Sequence, residues 1–325
     1  MKKNLLVIGL GSMGKRRIRI LKALYPACRI IGIDCNCTRA AEVCQDYKLE
    51  VYKDMDEIEI PIYAAFICTS PESHSDLINM CIKRNWHVFT EINLMDIDYE
   101  KNMNLAAENG VVLFLSSTLL YRDEIQYMLQ KVKTDKDKKL YLYHVGQYLP
   151  DWHPWDNLND FFASKKATNG CRELMAIELP WIVAAFGKVA SVKVTKCNVT
   201  RLNINFPDTY MIQLIHSDGT IGNITIDIVS RKAVRKLEIY NENIYLSWNG
   251  TPDSLIEKNI EDGTEFPIHF KESIHDKRYD AFINEAAYMK EVETFFEVVN
   301  GKKALYGFAE DQEIIHLINM IEEEI

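Results

Sequence analysis

The sequence LLVIGLGSMG, residues 5–14, joins a short apolar segment to three glycines in the spacing G-x-G-x-x-G. The apolar segment, residues 5–8, is typical of a strand that is buried on both faces of a parallel sheet. Apolar residues then recur at helical spacing, and a second short strand, residues 29–33, ends in Asp34. Strand, glycine loop, helix and strand in this order predict an α/β fold that begins with a parallel sheet.

Each glycine of the loop has a specific structural role. Gly9 permits a tight turn out of the strand, Gly11 lets the backbone approach a pyrophosphate, and Gly14 lets the helix pack close to the strand. The helix N-terminus at Ser12 and Met13 offers free N–H groups to phosphate. The loop therefore predicts a dinucleotide site.

Asp34 lies 20 residues after Gly14, where an acid accepts hydrogen bonds from a ribose diol. Its charge repels a 2′-phosphate, so we expect NAD as cofactor in preference to NADP. Arg39 either weakens that preference or is a solvated helix residue.

Strands and helices continue to alternate along the first third of the chain, with apolar strands at residues 64–68, 87–90 and 111–115. This pattern predicts a doubly wound parallel sheet, in which ligands bind beyond the carboxyl ends of the strands. The polar residues at those ends are therefore expected on the same rim as the glycine loop. They are Cys68, Thr69, Pro71, His74, Glu91 and Asn93.

Composition narrows the functional class. The chain of 325 residues carries a net charge of -9, which gives no electrostatic basis for binding nucleic acid or an anionic membrane. No stretch approaches the roughly 20 apolar residues of a membrane span, and we expect a cytoplasmic protein. None of the eight cysteines forms a C-x-x-C pair. Reduced cysteines and no metal site are therefore expected.

The motifs GLGSMG, CTSPESH and HVFTEINL together resemble the N-terminal half of the glucose-fructose oxidoreductase, inositol dehydrogenase and MocA (Gfo/Idh/MocA) family. The resemblance implies a Rossmann domain at residues 1–118 and a substrate-binding, oligomerising α+β domain at residues 119–325. The second domain would carry an open, mainly antiparallel sheet. The resemblance also implies a nicotinamide-dependent oxidoreductase that acts on sugars, inositols or sugar nucleotides. A homodimer or homotetramer is implied as well.

Two departures from the family put the proton-transfer residue in doubt. The family strand ends in Glu-Lys-Pro, whereas this chain has Glu91-Ile92-Asn93, and isoleucine cannot donate or accept a proton. The family also carries an aspartate and a histidine on the helix expected at residues 171–186. Those positions fall here at Glu173 or Leu174 and at Ile177 or Glu178, so neither register supplies the histidine.

The segment from Tyr148 to His153 is the first candidate to replace those residues. Tyr148 and Trp152 offer aromatic faces to a sugar ring, Asp151 and His153 can bond its hydroxyls, and His153 has the pKa for acid–base work. A rigid loop or a dimer contact is the structural alternative. Glu173 and Glu178 are the next candidates for the catalytic base.

Three functions remain open at this stage. The leading hypothesis is an oxidoreductase that moves hydride between NAD(H) and a carbohydrate hydroxyl or ketone. The first alternative, suggested by Ile92 and the missing histidine, is a catalytically degenerate NAD-binding sugar sensor. The second is an eliminase or epimerase that oxidises and reduces NAD within one cycle.

Overall fold

The computed structural model describes residues 3–152, 161–270, 274–276, 278 and 282–324. The chain divides into two compact units. The first unit comprises residues 1–117 together with 288–312, and the second comprises residues 118–287 and 313–325. The first stretch ends one residue before the boundary predicted from the sequence. Residues 288–312 belong with the first unit, although the sequence pattern assigned them to the second domain.

The first unit is built on a six-stranded parallel sheet with the strand order β3-β2-β1-β4-β5-β6. The order reverses between β1 and β4, which is the topological switch point where ligands of such sheets bind. Its strands are β1 (Asn4–Ile8), β2 (Arg29–Ile33), β3 (Glu50–Tyr52), β4 (Ala64–Ile67), β5 (His87–Thr90) and β6 (Leu113–Leu115). Its crossover helices are α1 (Ser12–Leu24), α2 (Cys37–Tyr47), α3 (His74–Lys83) and α4 (Tyr99–Glu108).

The core of the first unit explains why its central strands read as unbroken apolar runs. Leu5, Leu6 and Val7 of β1 are fully buried because helices cover both faces of a parallel sheet. The ring of Phe295, from the returning segment 288–312, packs edge-on against the phenylalanines of three neighbouring strands, with ring centroids 5.4–5.7 Å apart. These are Phe66, Phe89 and Phe114.

The second unit contains an eight-stranded sheet with the order β14-β13-β12-β11-β7-β10-β9-β8. Only β7 and β10 pair in parallel. Its helices are α5 (Asp123–Thr134) and α6 (Gly170–Phe186). Its strands are β7 (Leu140–Gly146), β8 (Val189–Cys197), β9 (Thr209–His216), β10 (Ile221–Asp227), β11 (Val234–Tyr240), β12 (Tyr245–Trp248), β13 (Ile256–Lys258) and β14 (Glu265–Pro267).

Two final helices, α7 (Glu285–Val299) and α8 (Phe308–Glu323), each contribute residues to both units. The predicted fold class is confirmed: a parallel Rossmann-type sheet is followed by a mixed, mostly antiparallel sheet. Gly219 lies in the hairpin turn that joins β9 and β10 and adopts a φ of 87°, which favours glycine. In the described part of the chain, no helix is long and apolar enough to cross a membrane.

Candidate functional site

The glycine loop has the geometry expected of a phosphate cradle. Gly9 adopts a φ of 87°, and its N–H donates to the carbonyl of Ile33 over 2.8 Å. A Cβ added to Gly14 would lie 1.9 Å from the carbonyl oxygen of Gly9, so only glycine allows this close approach. A Cβ at Gly11 would find its nearest neighbour, Arg39 Nη1, at 3.9 Å, so the space in front of Gly11 is open.

The start of α1 has no side-chain cap. Gly11 is the N-cap residue, and Ser12 and Met13 form the first turn, which contains no acidic residue. The N–H groups of this turn and the positive end of the helix dipole are therefore available to an anion. The open space at Gly11 and these uncapped amides fit the pyrophosphate of a dinucleotide.

Asp34 holds the end of β2 to the glycine loop. Its Oδ2 accepts the N–H of Leu10 over 2.8 Å, and its Oδ1 accepts the N–H of Asn36 over 2.8 Å. Arg39 Nη1 lies 3.2 Å from Oδ2, and the Arg39 side chain is 43% exposed. Arg39 is thus an ion-pair partner of Asp34, so its description as a solvated helix residue is incomplete.

His74 is an internal support of the rim, since only 2% of its surface is exposed. Its Nδ1 lies 2.6 Å from Asn93 Oδ1 and its Nε2 lies 3.0 Å from the carbonyl oxygen of Thr69. Burial lowers the pKa of His74, although both hydrogen bonds act in the opposite direction. The ring therefore links the loop after β4 to the loop after β5, whereas Thr69 and Pro71 are partly exposed and better placed to contact a ligand.

Glu91 is engaged in a buried charge cluster. Arg17 of α1 donates to both of its oxygens over 2.6 and 3.1 Å, and Arg17 Nη2 also donates to Glu291 over 2.8 Å. Burial alone would lower the pKa of Arg17, but the two carboxylates raise it. Cys68, buried nearby, has its Sγ 3.8 Å from Glu91 Oε1, and burial raises the pKa of its thiol. The Glu91 side chain thus ties the helix after the glycine loop to the end of β5.

The two residues after Glu91 differ in what they present. Ile92 is half-buried and adds an apolar surface. Asn93 is 3% exposed, its Oδ1 lies 2.6 Å from His74 Nδ1, and its side chain also interacts with Tyr99. Asn93 is therefore part of the support behind the rim at the end of β5.

The aromatic segment of the second unit is held by Arg231. Its guanidinium lies 4.1 Å from the centroid of the Tyr148 ring, and its Nη1 lies 3.6 Å from Asp151 Oδ2. Trp152 Nε1 donates to the Gln147 carbonyl over 3.0 Å. The Trp152 ring lies 3.4 Å from a Cβ built on Gly170, which places this segment beside the start of α6. His153, the first choice for the base, lies outside the described residues.

Glu178, in the middle of α6, is fully buried, and both of its carboxylate oxygens accept hydrogen bonds. Arg235 donates to its Oε1 over 3.0 and 2.6 Å, and Tyr143 and Trp181 donate to its Oε2 over 2.6 and 2.9 Å. A carboxylate with four donors and a buried counter-ion has no capacity left for proton exchange with a substrate. The geometry therefore speaks against Glu178 as the catalytic base.

Glu173, one turn earlier in α6, has the opposite environment. Its Oε2 is shut off from solvent and has no hydrogen-bond partner among the described residues. Burial raises the pKa of Glu173 to about 7. Glu173 can therefore change its protonation state near neutral pH.

The described residues also bear on metal binding. Within the described ranges, no group of three or more His, Cys, Asp or Glu side chains is arranged to hold an ion.

Comparison with known proteins agrees with the cradle geometry. Residues 3–117 match the model of a family described as "Oxidoreductase family, NAD-binding Rossmann fold". The model is named for the Gfo/Idh/MocA proteins, which the three sequence motifs also resemble. A relative, the myo-inositol 2-dehydrogenase of Thermotoga maritima, is 36% identical over 99 residues. The match spans 28% of this chain and 30% of that relative.

Solved structures of several dehydrogenases and oxidoreductases resemble the whole chain, and two serve as examples. UDP-N-acetylglucosamine 3-dehydrogenase from Acidithiobacillus ferrooxidans superimposes with a TM-score of 0.78 at 15% identity, over 100% of this chain and 98% of that one. Levoglucosan dehydrogenase, in complex with NADH and levoglucosan, gives a TM-score of 0.80 at 13% identity, over 100% and 97%. At such identities the likeness establishes the fold alone.

Proposed function

We propose that this chain is an NAD(H)-dependent oxidoreductase that acts on a hydroxyl or carbonyl group of a sugar, inositol or sugar nucleotide. The observation that carries the proposal is the glycine loop, with its open space at Gly11, its uncapped helix start and Asp34 at the end of the next strand. Bound NAD⁺ would supply the hydride acceptor.

Gly9, Gly11, Ser12, Met13 and Gly14 would hold the pyrophosphate through backbone groups. Asp34 would accept hydrogen bonds from the ribose, and Thr69 and Pro71 would line the rim between the ribose and the nicotinamide. Cys68, His74 and Glu91 are buried, so we assign them a supporting position behind that rim.

The carbohydrate class of the substrate rests on two supports. The relatives named above are dehydrogenases of an inositol, a sugar nucleotide and an anhydrosugar by their own descriptions. Tyr148 and Trp152 also provide aromatic surfaces beside the start of α6, which suit the apolar face of a sugar ring.

The cofactor proposal is tested by titrating NADH into two matched glycine variants. Gly11→Ala should weaken NADH binding at least about tenfold, or ~1.4 kcal/mol, because its Cβ fills the open space of the cradle. Gly307→Ala is the control, since its added Cβ would meet only the Glu310 carboxylate tip at 3.4 Å. Equal NADH affinity in both variants would count against the cradle.

A sugar sensor is the second candidate, and Ile92 is the observation that favours it. The two functions separate when protein, NAD and myo-inositol, levoglucosan or UDP-N-acetylglucosamine are mixed. An oxidoreductase raises the nicotinamide absorbance at about 340 nm, a standard optical property of NADH used here as the readout. A sensor shows binding without any absorbance change, and an eliminase or epimerase converts the sugar without net NADH.

The family resemblance supports a homodimer or homotetramer formed through the open sheet of the second unit. Leu142 and Met211, on the face of the sheet opposite the buried Tyr141 and Tyr143, are 39% and 58% exposed. Exposed apolar residues on a broad sheet face are typical of an association surface. A monomer in light scattering at micromolar concentration would contradict this assignment.

A further inference from the structure

Four buried polar side chains of the first unit are linked in series behind the rim, and they are called here the Asp311 network. His74 Nε2 lies 3.0 Å from the carbonyl oxygen of Thr69, and His74 Nδ1 lies 2.6 Å from Asn93 Oδ1. The Asn93 side chain interacts with the hydroxyl of Tyr99, which donates to Asp311 Oδ2. The network therefore joins the loop after β4 to Asp311.

Asp311 is the end of the network that lies farthest from Thr69 along the hydrogen bonds. It belongs to segment 288–312, which returns to the first unit, and only 4% of its surface is exposed. Its second oxygen, Oδ1, accepts the hydroxyl of Tyr306 over 2.6 Å. Burial and Asp96 raise the pKa of Asp311, the two tyrosine hydroxyls lower it, and the result is about 6. Asp311 is therefore mostly ionised at neutral pH.

Ionised Asp311 determines the direction of the hydrogen bonds that follow. Because a carboxylate only accepts, Tyr99 donates its O–H to Asp311, and its oxygen is left to accept an N–H from Asn93. Asp311 raises the pKa of Tyr99 and Asn93 lowers it, as expected when an amide N–H faces the phenol oxygen. With its N–H directed to Tyr99, the Asn93 amide presents its Oδ1 to His74.

His74 faces an acceptor with each ring nitrogen. The Thr69 carbonyl and Asn93 Oδ1 can only accept, so the ring makes both hydrogen bonds when it carries both protons. Burial lowers the pKa of His74, whereas the two hydrogen bonds and Glu91 raise it. If the amide of Asn93 were reversed, its N–H would face Nδ1, which a neutral ring accepts. The orientation of Asn93 therefore sets the charge on His74.

We propose that Asp311 and Tyr99 are positioning residues for the nucleotide, an inference that rests on the proposed cofactor site. Asp311 orients Tyr99, Tyr99 orients Asn93, and charged His74 then holds the carbonyl of Thr69. Thr69 follows β4 at the topological switch point, where the ligand is expected. Interrupting the network leaves a neutral ring and a weaker hydrogen bond to Thr69, because charged donors make bonds roughly twice as strong.

The test compares two matched tyrosine variants of the full-length protein. Tyr99→Phe and Tyr306→Phe each remove one hydroxyl that donates to Asp311, but only Tyr99 continues to Asn93. Tyr99→Phe should weaken NADH binding about threefold to tenfold in a fluorescence titration, about the contribution of one hydrogen bond. Tyr306→Phe should bind NADH like the wild type. Equal NADH affinity in the two variants would overturn the proposal.

Asp311→Asn is a second variant that leaves the packing nearly unchanged. Its neutral amide attracts the Tyr99 hydroxyl less strongly than a carboxylate does, so NADH binding should weaken in the same direction as in Tyr99→Phe. Wild-type NADH affinity in Asp311→Asn would contradict the role of the charge.

The state of the His74 ring can be followed without any nucleotide. In protein labelled with ¹⁵N at histidine, the His74 ring should lose its second proton at a lower pH in Tyr99→Phe than in the wild type or Tyr306→Phe. A purely structural role of Tyr99 would lower stability in urea and leave this titration unchanged, which would also overturn the proposal. Absence of NADH binding in the wild type would instead contradict the proposed function, and the ring titration would still test the network.

Discussion

Two glutamates of α6, Glu173 near its start and Glu178 in its middle, meet opposite conditions. Glu178 is fully buried and has an arginine, a tyrosine and a tryptophan as donors. Glu173 is partly buried, and its Oε2 has no hydrogen-bond partner among the described residues. Because buried polar groups in folded proteins are nearly always paired, the difference teaches that Glu178 stabilises the fold through its partners, whereas the burial of Glu173 costs free energy.

The largest effect is expected at Glu178. Glu178→Gln should destabilise the protein by roughly 3–5 kcal/mol, because Arg235 would remain charged in a buried position without its counter-ion. Urea unfolding measures the loss. The double variant Glu178→Met with Arg235→Met should recover much of that stability, since it removes both charges. If Glu178→Gln lost less than about 1 kcal/mol of unfolding free energy, the partners of Glu178 would not stabilise the fold as proposed.

A smaller and pH-dependent effect is expected at Glu173. The folded-state pKa of about 7 is above the unfolded value of 4.5, so the folded state binds the proton more tightly. The contribution of Glu173 to the free energy of unfolding is fully present below the unfolded-state pKa. It is lost as the pH rises through the folded-state pKa. Between pH 5 and pH 8 the wild type should lose roughly 1–3 kcal/mol more than Glu173→Gln, at about 1.4 kcal/mol per pKa unit. Parallel unfolding curves at the two pH values would show that Glu173 is solvated.

Asp34 is another buried carboxylate, and the side chain of its ion-pair partner Arg39 is 43% exposed. Asp34→Asn should weaken NADH binding about tenfold, or ~1.4 kcal/mol, because a charged acceptor of the ribose diol is lost. NADPH should be affected less.

The variant Arg39→Gln tests the preference between NADH and NADPH from the other side of the ion pair. It should leave NADH affinity nearly unchanged and weaken NADPH about tenfold, since the guanidinium is the cation nearest to Asp34 and the natural partner of a 2′-phosphate. Fluorescence titration with both nucleotides measures the ratio. A wild-type preference for NADPH would show that Arg39 outweighs Asp34.

The smallest effect is expected at Arg231, whose ion pair lies on the surface. Arg231→Ala breaks a 3.6 Å ion pair with Asp151 in which both side chains are largely solvated, 69% and 45% exposed. Its cost in urea unfolding should be at most about 1 kcal/mol, as for most surface ion pairs. A larger cost would mean that the ring contact with Tyr148 orders the whole segment.

The sequence was sufficient for five strands of the Rossmann sheet, because those strands are apolar runs and the glycines stand at fixed offsets. It missed β3, a three-residue strand with no buried residue. It did not predict β11 to β14, which are short or in which single buried residues such as Leu237 and Leu246 alternate with less buried ones. The return of residues 288–312 to the first unit was also missed, since an apolar helix stripe does not specify which sheet it covers.

The candidate site was likewise predictable only in part. The residue types at the rim followed from the strand ends, but the burial of His74 and the engagement of Glu91 by Arg17 did not. Arg17 and Glu91 are 74 positions apart in the chain, and no local pattern encodes their contact. Glu173 and Glu178 were equivalent candidates by spacing, and only their neighbours distinguish them.

The return of residues 288–312 to the first unit affects how the protein is made. Ser116 bonds to Glu291, which lies 175 residues later in the chain, and Phe295 covers the three strand phenylalanines. At roughly 5–20 residues per second of synthesis, the nascent Rossmann sheet waits about 9–35 s for its last aromatic layer and for the second acid of the Arg17 cluster. During that interval an apolar sheet face is uncovered on the ribosome. Chaperone demand should therefore fall mainly on this period of translation.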